Sequence, residues 1–336
     1  MAPTLKKVRA TIIIRLLILS SILVSFPNVK IVRASDIIRI RDDGSVEGPD
    51  KIQRDGNVYT LTDNIINQSI VVERFNIVID GAGHTIQGAG LGRGIEIANP
   101  YNATIKTSYD VTVTNITIQG FENGIAVFGY WGNIIDGMII AGNNLTNNDI
   151  GIRFSSYSSY TNNIIIGNHV AANRIGIHIT MGHSGDEGIN QIVGNQIANN
   201  EIGMYFLWMG DFYSWKANPF YMNNSIYNNN FISNNQNVVN GHIIYTPDCA
   251  NIWDNNEVGN YWSNYNGTDN EVDRIGDTPY VIDANNQDNY PLMAPVDITL
   301  IPEFPSWIIL PLFLAATAFA LAVKKIGLHN TISQSQ

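Results

Sequence analysis

The chain has 336 residues, of which 45% are apolar and only 14% are charged, and its formal net charge is −10. This acidic balance argues against a nucleic-acid partner, because residues 35–302 contain few lysines and no basic stripe. The single cysteine, Cys249, excludes an internal disulfide framework and a cysteine-based metal site. The length allows one large domain with appendages.

Residues 1–34 are predicted to be a secretory signal peptide. Three basic residues precede an apolar run over residues 11–26, and Ala34 offers a small residue at a cleavage point. Arg15 interrupts the apolar run, so an uncleaved N-terminal anchor is the alternative. Both interpretations place the body of the protein outside the cytoplasm.

Residues 58–250 are predicted to form a solenoid, and residues 35–57 to cap its first edge. Five glycines followed by Ile or Met lie 30, 27, 25 and 27 residues apart: Gly94, Gly124, Gly151, Gly176 and Gly203. This period is typical of repeat architectures. Short alternating apolar runs separated by Gly and Asn indicate strands joined by turns that accept positive φ.

Each repeat offers three positions at which like apolar side chains would stack from coil to coil. The first column contains Val113, Ile140, Ile165, Ile192 and Ile226. The second contains Ile118, Leu145, Val170, Ile197 and Phe231. The third contains the pairs Ile125/Val127, Ile152/Phe154, Ile177/Ile179 and Met204/Phe206. Three such walls predict an all-β fold, a right-handed parallel β-helix of about six to eight coils.

Asparagines recur at two further coil positions. The first set is Asn143, Asn168, Asn195 and Asn229, and the second is Asn148, Asn173, Asn200 and Asn234. Identical amides stacked at about 4.8 Å can hydrogen-bond to each other along the tube. We therefore predict two amide ladders, the alternative being ordinary polar turn residues.

Aromatic residues concentrate in the loops that follow the third column: Tyr130, Trp131, Tyr157, Tyr160, Trp208, Phe212, Tyr213 and Trp215. One edge of the tube should therefore carry an aromatic cluster. Such a cluster can stack sugar rings, so these residues are candidate glycan-binding residues. The alternative is a loop that folds back as its own hydrophobic lid.

Residues 251–300 are predicted to be a separate closing segment. It contains an acidic turn with Asp269, Glu271, Asp273 and Asp277. Hard cations prefer several oxygen ligands from one tight turn, so these residues are candidate calcium ligands. Arg274 stands where a calcium loop usually has glycine, and the alternative is a solvated acidic turn.

Residues 301–306 are predicted to be a linker and residues 307–323 a transmembrane helix. The second segment is long enough to span a bilayer and carries no charge. The lysine pair at the start of residues 324–336 predicts a cytoplasmic tail. The chain is therefore expected to be displayed at the cell surface and anchored in the cytoplasmic membrane.

The Gly-Asn-x-Ile and Gly-Ile coils resemble the NosD-like family of right-handed β-helix proteins. The stretch from Gly259-Asn260-Tyr261-Trp262 through Gly276-Asp277-Thr278-Pro279-Tyr280 to Asn289-Tyr290-Pro291-Leu292 is similar to the closing segment of archaeal surface members of that family. The final Pro302-Glu303-Phe304, apolar span and basic pair look like an archaeal surface-sorting tail. It departs by continuing 11 residues past Lys325.

The resemblance implies a periplasmic copper-handling role. Copper prefers clusters of His, Met or Cys, and His169, His178 and His183 are the candidates within one coil. His178 falls in the outward position held by Glu96, Ala126, Arg153 and Tyr205 in other coils. A mixed outer surface is therefore favoured over a copper site.

A polysaccharide lyase or hydrolase is the enzymatic alternative. A hydrolase needs two carboxylates flanking the bond, and the acidic residues of the coils, including Asp149 and Glu201, are expected at unrelated coil positions. We therefore favour a non-catalytic surface module that binds polysaccharide or builds the cell surface. Six Asn-x-Ser/Thr sequons are candidate glycosylation sites: Asn67, Asn102, Asn115, Asn144, Asn223 and Asn266.

Overall fold

The computed structural model describes residues 37–98, 109–129, 133–156, 160–181, 190–208, 221–242 and 250–298, and these form strands and turns with no α-helix. The strands of the first half are β1 Ile37–Ile40, β2 Val46–Glu47, β3 Ile52–Asp55, β4 Val58–Leu61, β5 Ile65–Ile66, β6 Ser69–Val72, β7 Ile77–Asp80, β8 Thr85–Gln87, β9 Arg93–Ala98, β10 Val111–Thr114, β11 Thr117–Gln119, β12 Asn123–Gly129, β13 Ile135–Asp136, β14 Ile139–Ala141 and β15 Asn144–Thr146. Those of the second half are β16 Ile150–Ser156, β17 Tyr160–Thr161, β18 Ile164–Ile166, β19 His169–Ala171, β20 Ile175–Met181, β21 Gln191–Val193, β22 Gln196–Ala198, β23 Ile202–Trp208, β24 Tyr221–Tyr227, β25 Asn230–Ile232, β26 Gln236–His242, β27 Ala250–Ile252, β28 Tyr261–Trp262, β29 Tyr280–Asp283 and β30 Asn286–Asp288.

Three sheets form the walls of a parallel β-helix. Sheet 1 has the order β2-β1-β6-β9-β12-β16-β20-β23-β26, sheet 2 has β3-β4-β7-β10-β14-β18-β21-β24-β27, and sheet 3 has β5-β8-β11-β15-β19-β22-β25-β28. Apart from the antiparallel β2 and β3, each sheet has eight parallel strands, which corresponds to eight coils in the described part of the chain. The right-handed sense stays a prediction, supported by the general rule for parallel crossover connections.

The three predicted apolar columns are confirmed as in-register stacks. Val113, Ile140, Ile165, Ile192 and Ile226 face one another across successive strands of sheet 2, each at most 3% exposed. The second column stacks in the same way in sheet 3, and the third in sheet 1. The inward side chains form one continuous hydrophobic core, because every coil places like residues above like.

Both predicted asparagine ladders are confirmed. Along the first, Nδ2 of Asn143 donates to Oδ1 of Asn168 at 3.0 Å, and the same bond continues through Asn195 and Asn229 at 2.9 Å. The second runs from Asn173 through Asn200 to Asn234 at 3.2 and 3.0 Å. The amides also bond to backbone groups of neighbouring coils, so the buried turns keep their polar groups paired.

A third ladder was not predicted. It joins Asn163, Asn190, Asn224 and Asn251 through Nδ2-to-Oδ1 bonds of 2.7, 2.7 and 2.8 Å. Asn163 and Asn190 immediately precede β18 and β21, and Asn224 and Asn251 lie within β24 and β27, all of them strands of sheet 2. Each of the tube's corners in the central coils therefore carries a column of buried amides.

The repeated glycines have two different structural causes. Gly142, Gly167 and Gly194 have φ between 63° and 65°, as the predicted turns require. The glycines of the Gly-Ile pairs lie within sheet 1 rather than in turns. A Cβ on Gly176 would approach the carbonyl oxygen of Gly203 to 2.5 Å, so close contact between successive coils is the reason for these glycines.

The two ends of the tube extend beyond the predicted bounds. β1, within the predicted cap, already pairs parallel with β6, whereas β2 and β3 fold back antiparallel against sheets 1 and 2. At the other end, β27 and β28 add a last strand to sheets 2 and 3. Antiparallel strands at the first edge reduce the unpaired backbone there.

The closing segment covers the open end of the core with stacked aromatic rings. Trp262 lies 4.2 Å from Phe231 and 4.3 Å from Tyr280 between ring centroids, with nearly parallel planes. Trp253 is buried beside them and donates its indole hydrogen bond to Asn286 at 3.0 Å. The segment therefore replaces the missing next coil by an aromatic layer.

Asp288 ends the first asparagine ladder. Its Oδ2 accepts from the backbone N–H of Asn260 at 2.7 Å and from the indole of Trp262 at 2.8 Å, while Oδ1 accepts from the N–H of Tyr290 at 3.0 Å. The carboxyl is fully buried. Burial raises its pKa to about 6, although the hydrogen bonds that it accepts act in the opposite direction.

Candidate functional site

The outer face of sheet 1 carries a column of unlike side chains. Strand pairing places Glu96, Ala126, Arg153, His178, Tyr205 and Val239 side by side across successive coils. The first five were expected in this outward position, and the register confirms it. Neighbouring members lie one strand spacing apart, about 4.8 Å.

A second column of charged residues borders the same strands at the turn that precedes them. It contains Glu122, Asp149, Arg174 and Glu201. The backbone N–H of Ile150, which follows Asp149, donates to the carbonyl of Glu122 at 2.9 Å, and the residues after Arg174 and Glu201 make the same bond to Asp149 and Arg174. The four residues therefore align from coil to coil. The expectation that the acidic residues fall at unrelated coil positions was wrong here. The alignment was nevertheless present in the sequence, because each member lies two residues before one of the repeated glycines Gly124, Gly151, Gly176 and Gly203.

A groove of about 500 Å³ lies between these two columns. Its apolar floor consists of Ile150, Ile175 and Ile202, which begin β16, β20 and β23. Its charged and polar lining is Glu122, Asp149, Arg153, Arg174, His178 and Tyr205. Because the lining residues occupy equivalent positions of successive coils, the groove follows the tube axis.

Two of the arginines on this face are neutralised by carboxylates. Arg174 forms a bidentate pair with Asp149, with Nε–Oδ1 at 2.6 Å and Nη2–Oδ2 at 2.9 Å. Arg93 forms an ion pair with Glu96 at 2.8 Å. The hydrogen bond from Arg174 lowers the pKa of Asp149, so this carboxylate stays ionised at neutral pH and is not a proton donor.

Arg153 has no such partner within the described part of the chain. Its Nε is buried and makes no hydrogen bond. The guanidinium carbon lies 5.9 Å from the ring centroid of Phe128, so the side chain is supported by an aromatic contact. A cationic group with unused donors therefore lines the groove.

His178 lies next to Arg153 in the outward column and is only 7% exposed. Its Nε2 lies 3.0 Å from Oγ1 of Thr180, and its buried Nδ1 has no partner in the described residues. Burial, followed by the charges of Arg153 and Arg174, lowers its pKa to about 4. The ring is therefore neutral at pH 7, and it lies 4.9 Å from the ring of Tyr205.

The family model described as Periplasmic copper-binding protein (NosD) matches residues 39–267, about two thirds of the chain. The chain belongs to the NosD family. The match covers nearly all of the tube, including every strand that borders the groove. The family's periplasmic description supports export of the body. No curated protein and no solved structure matches the chain.

The candidate copper ligands of this NosD-family chain do not come together. His169 is exposed at the start of β19 in sheet 3, whereas His178 lies on the outer face of sheet 1. His183 lies outside the described residues. Within the described ranges, no group of three His, Cys, Asp or Glu side chains could hold a metal ion. His169 and His178 therefore do not form a copper site together.

The candidate calcium ligands lie on an exposed turn of the closing segment. Asp269 accepts hydrogen bonds from the backbone N–H groups of Asp273 and Arg274 at 3.1 and 3.0 Å. Asp277 accepts from Asn270 and Thr268, each at 3.0 Å, whereas Glu271 is exposed. These carboxylates hold the turn together, and calcium binding stays a prediction.

Most of the predicted aromatic cluster lies outside the described residues: Tyr130, Trp131, Tyr157, Phe212, Tyr213 and Trp215. Trp208 ends β23, and only its backbone is described. The prediction was wrong for Tyr160, which is only 1% exposed. Its ring packs in the core with its centroid 6.0 Å from that of Phe154, and its hydroxyl donates to the carbonyl of Thr180. Its ring is therefore not available to stack on a sugar.

The ring that does line the groove is Tyr205, which sequence reasoning placed in the outward column but did not select as a binding residue. An aromatic side chain in an outward position of a strand was the signal that could have identified it. The sequons are accessible where described. Asn67, Asn115, Asn144 and Asn266 are exposed and Asn223 is half-buried, while Asn102 lies outside the described residues.

The predicted signal peptide and C-terminal anchor, residues 1–34 and 307–323, also lie outside the described residues. Within the described ranges, no helix has the length and apolar character needed to cross a bilayer.

Proposed function

We propose that this NosD-family protein is an extracytoplasmic, non-catalytic binding module that holds a polysaccharide chain along the outer face of sheet 1. The observation that carries the proposal is the groove between the outward column of sheet 1 and the second, charged column at the turn before it. It follows the tube axis over the coils of β12, β16, β20 and β23. Three steps of about 4.8 Å give a length of about 14 Å, enough for several sugar units.

The chemistry of the groove suits a sugar ring, which has apolar faces and polar edges. Ile150, Ile175 and Ile202 supply an apolar floor, and Tyr205 supplies a ring beside it. Carboxylates and guanidinium groups along the walls can form charge-assisted hydrogen bonds with hydroxyl groups. A concave apolar site with a few placed polar groups is the usual form of a small-molecule or glycan site.

The proposal includes display at the cell surface. An N-terminal signal over residues 1–34 and an anchor over residues 307–323 would place the tube outside the cytoplasmic membrane. Protease treatment of intact cells would test this: removal of the body without cell lysis is expected. Protection of the body in intact cells would contradict surface display.

The binding test uses the full-length protein in a neutral detergent, applied to immobilised neutral and acidic polysaccharides. We expect retention on at least one polymer, weakened at least fivefold by Tyr205→Ala because the ring beside the groove floor is lost. Tyr227→Ala is the matched control, since Tyr227 is half-buried in β24 of sheet 2. Absence of retention on every polymer would overturn the proposal.

Polysaccharide cleavage is the second candidate, favoured by the presence of Glu122 and Asp149 in one groove. The ion pair of Asp149 with Arg174 counts against it, because a glycosidase needs one carboxyl group that stays protonated. The same retention assay decides the question if new chain ends are measured. New ends that disappear in Glu122→Gln would replace binding by catalysis.

Copper handling is the alternative that the family description favours. Equilibrium dialysis of the full-length protein against copper would test it. Tight binding that is lost in His178→Ala would contradict our proposal, because His178 is buried and separated from His169 by its position in another sheet.

A further inference from the structure

The groove contains a guanidinium that forms no ion pair with a described carboxylate. Arg174 is bound to Asp149, and Arg93, further along the same face, is bound to Glu96. Arg153 has neither an ion pair nor a hydrogen bond in the described part of the chain, and its Nε is buried without an acceptor. The other guanidinium N–H groups of Arg153 also have no acceptor among the described residues, and since the side chain lines the groove, a ligand bound there can supply one.

The neighbours of Arg153 leave it available to a ligand. In the outward column it lies between Ala126, which has no polar side chain, and His178, which is uncharged at neutral pH. The face of Phe128 lies on one side of its guanidinium. These contacts hold the side chain in place without satisfying its charge.

The position of Arg153 relative to Tyr205 fits a chain molecule. The two residues occupy the same column two strands apart, with His178 between them. This separation is about 10 Å along the tube axis. A polymer that places one ring beside Tyr205 would therefore present a group of a neighbouring unit to Arg153.

We propose that the polysaccharide is acidic and that Arg153 binds the carboxylate of one of its uronic acid units. This inference rests on the proposed function of the groove. A carboxylate matches the planar fork of a guanidinium and accepts two parallel hydrogen bonds. Glu122 and Asp149 line the same groove and oppose a more highly charged group, so a singly charged carboxylate suits the site better than a phosphate.

The test compares two polymers that differ only in the carboxylate: polygalacturonate and the same polymer after chemical reduction of its carboxyl groups. Binding of each to the full-length protein is measured at a fixed, moderate salt concentration. We expect the protein to bind polygalacturonate at least tenfold more tightly, as a charged hydrogen-bonded pair would give. Equal binding to both polymers would overturn the carboxylate site and leave the groove proposal intact.

Three variants test whether the tighter binding of polygalacturonate depends on Arg153. Arg153→Met keeps the length of the side chain and should abolish the preference while changing affinity for the reduced polymer less than threefold. Arg153→Lys should retain part of it. Arg274→Met removes the same charge from the exposed closing turn and should leave the preference unchanged.

The outcomes separate the two proposals. If neither of these polymers binds to the wild-type protein but another polysaccharide is retained, the inference fails alone; if no polysaccharide is retained, the function proposed for the groove fails with it. If Arg153→Met keeps the preference, another group reads the carboxylate and the assignment is wrong. If Arg274→Met loses the preference as fully as Arg153→Met, the effect is general charge attraction and the site is overturned.

Discussion

The two faces of sheet 1 follow opposite rules. On the inner face, Ile152 and Phe154 stack on Ile177 and Ile179, and each coil repeats the choice of its neighbour. On the outer face the matching positions hold Arg153 and His178, which share neither charge nor shape. The comparison shows that the tube depends on repetition inside, whereas the outer positions vary from coil to coil and carry the polar and charged groups.

The physical reason is the way in which coils are added. Each strand is the template for the next, so an inward side chain that differs in volume leaves a cavity or a clash in two coils. Outward side chains meet solvent or ligand and have no such constraint. Substitutions inside should therefore change stability, and substitutions in the groove should change binding.

The largest effect is expected for Asn168→Ala in the first ladder. It removes the acceptor of the Asn143 amide and the donor to the carbonyl of Ile140, leaving buried groups unpaired. The free energy of unfolding should fall by about 4 kcal/mol. Urea denaturation measures it, with the exposed Asn144→Ala as the control, expected within about 0.5 kcal/mol of wild type. Equal effects of the two substitutions would show that the ladder adds no stability.

Gly176→Ala should lower the free energy of unfolding by about 3 kcal/mol, because the new Cβ would lie 2.5 Å from the carbonyl oxygen of Gly203 and force two coils apart. The urea midpoint of the full-length protein provides the measurement. An unchanged midpoint would mean that successive coils are less closely spaced than the structure shows.

Asp288→Asn tests the closing segment and should lower the free energy of unfolding by about 2 kcal/mol. Three N–H groups donate to the two carboxyl oxygens of Asp288, and the asparagine side chain has only one acceptor oxygen. Burial raises the pKa of Asp288 from 3.8 to about 6, so the folded state binds more protons between these values. The stabilisation associated with protonated Asp288 is complete below pH 4 and is lost as pH rises through 6.

The cost of Asp288→Asn should therefore be greater at pH 4.5 than at pH 7.5, as measured by urea denaturation of both proteins at each pH. Other titrating groups are common to the two proteins and cancel in the difference. A cost that grows with pH instead would show that Asp288 is stabilised in its ionised form.

Ala172→Asn should stabilise the protein by about 1 kcal/mol. Ala172 has φ 54°, a left-handed conformation that asparagine tolerates better than alanine, and Asn147 and Asn199 occupy the equivalent turns of the adjoining coils. Thermal denaturation would detect the gain. A loss of stability would indicate that the turn has no room for the amide.

Arg153→Met should have the smallest effect on stability, within about 0.5 kcal/mol of wild type, because the side chain makes no ion pair in the described residues. The urea midpoint checks this on the same preparation that is used for binding. A large loss of stability would place Arg153 among the residues that hold the tube and would remove the basis for its binding role.

Much of the fold was predictable because each inward position is repeated in several coils. Five independent coils pointed to Val113, Ile140 and their successors, and the same argument gave two of the three asparagine ladders. The third ladder was overlooked, although its members recur at a fixed offset. Asn163, Asn190 and Asn224 lie four residues before Gly167, Gly194 and Asn228, which are equivalent positions of successive coils. Its signal was present in the spacing and required no structure.

The site was less predictable, because its members are not repeated. Tyr160 was assigned to an exposed cluster, but its chain segment forms β17, beside β13, and its ring enters the core. Asp149 and Glu122 each lie two residues before a repeated glycine, so the period aligns them, but only the structure shows that a groove lies beside them.

The sequence by itself determined the solenoid, its inward columns and its polar ladders, since period and residue type are enough when every coil obeys the same packing constraint. Only the tertiary structure decided where the outer surface forms a groove, which arginines are paired and which one is left with unused donors. Those features depend on distances between different coils, and a repeated pattern contains no information about the positions at which it is broken.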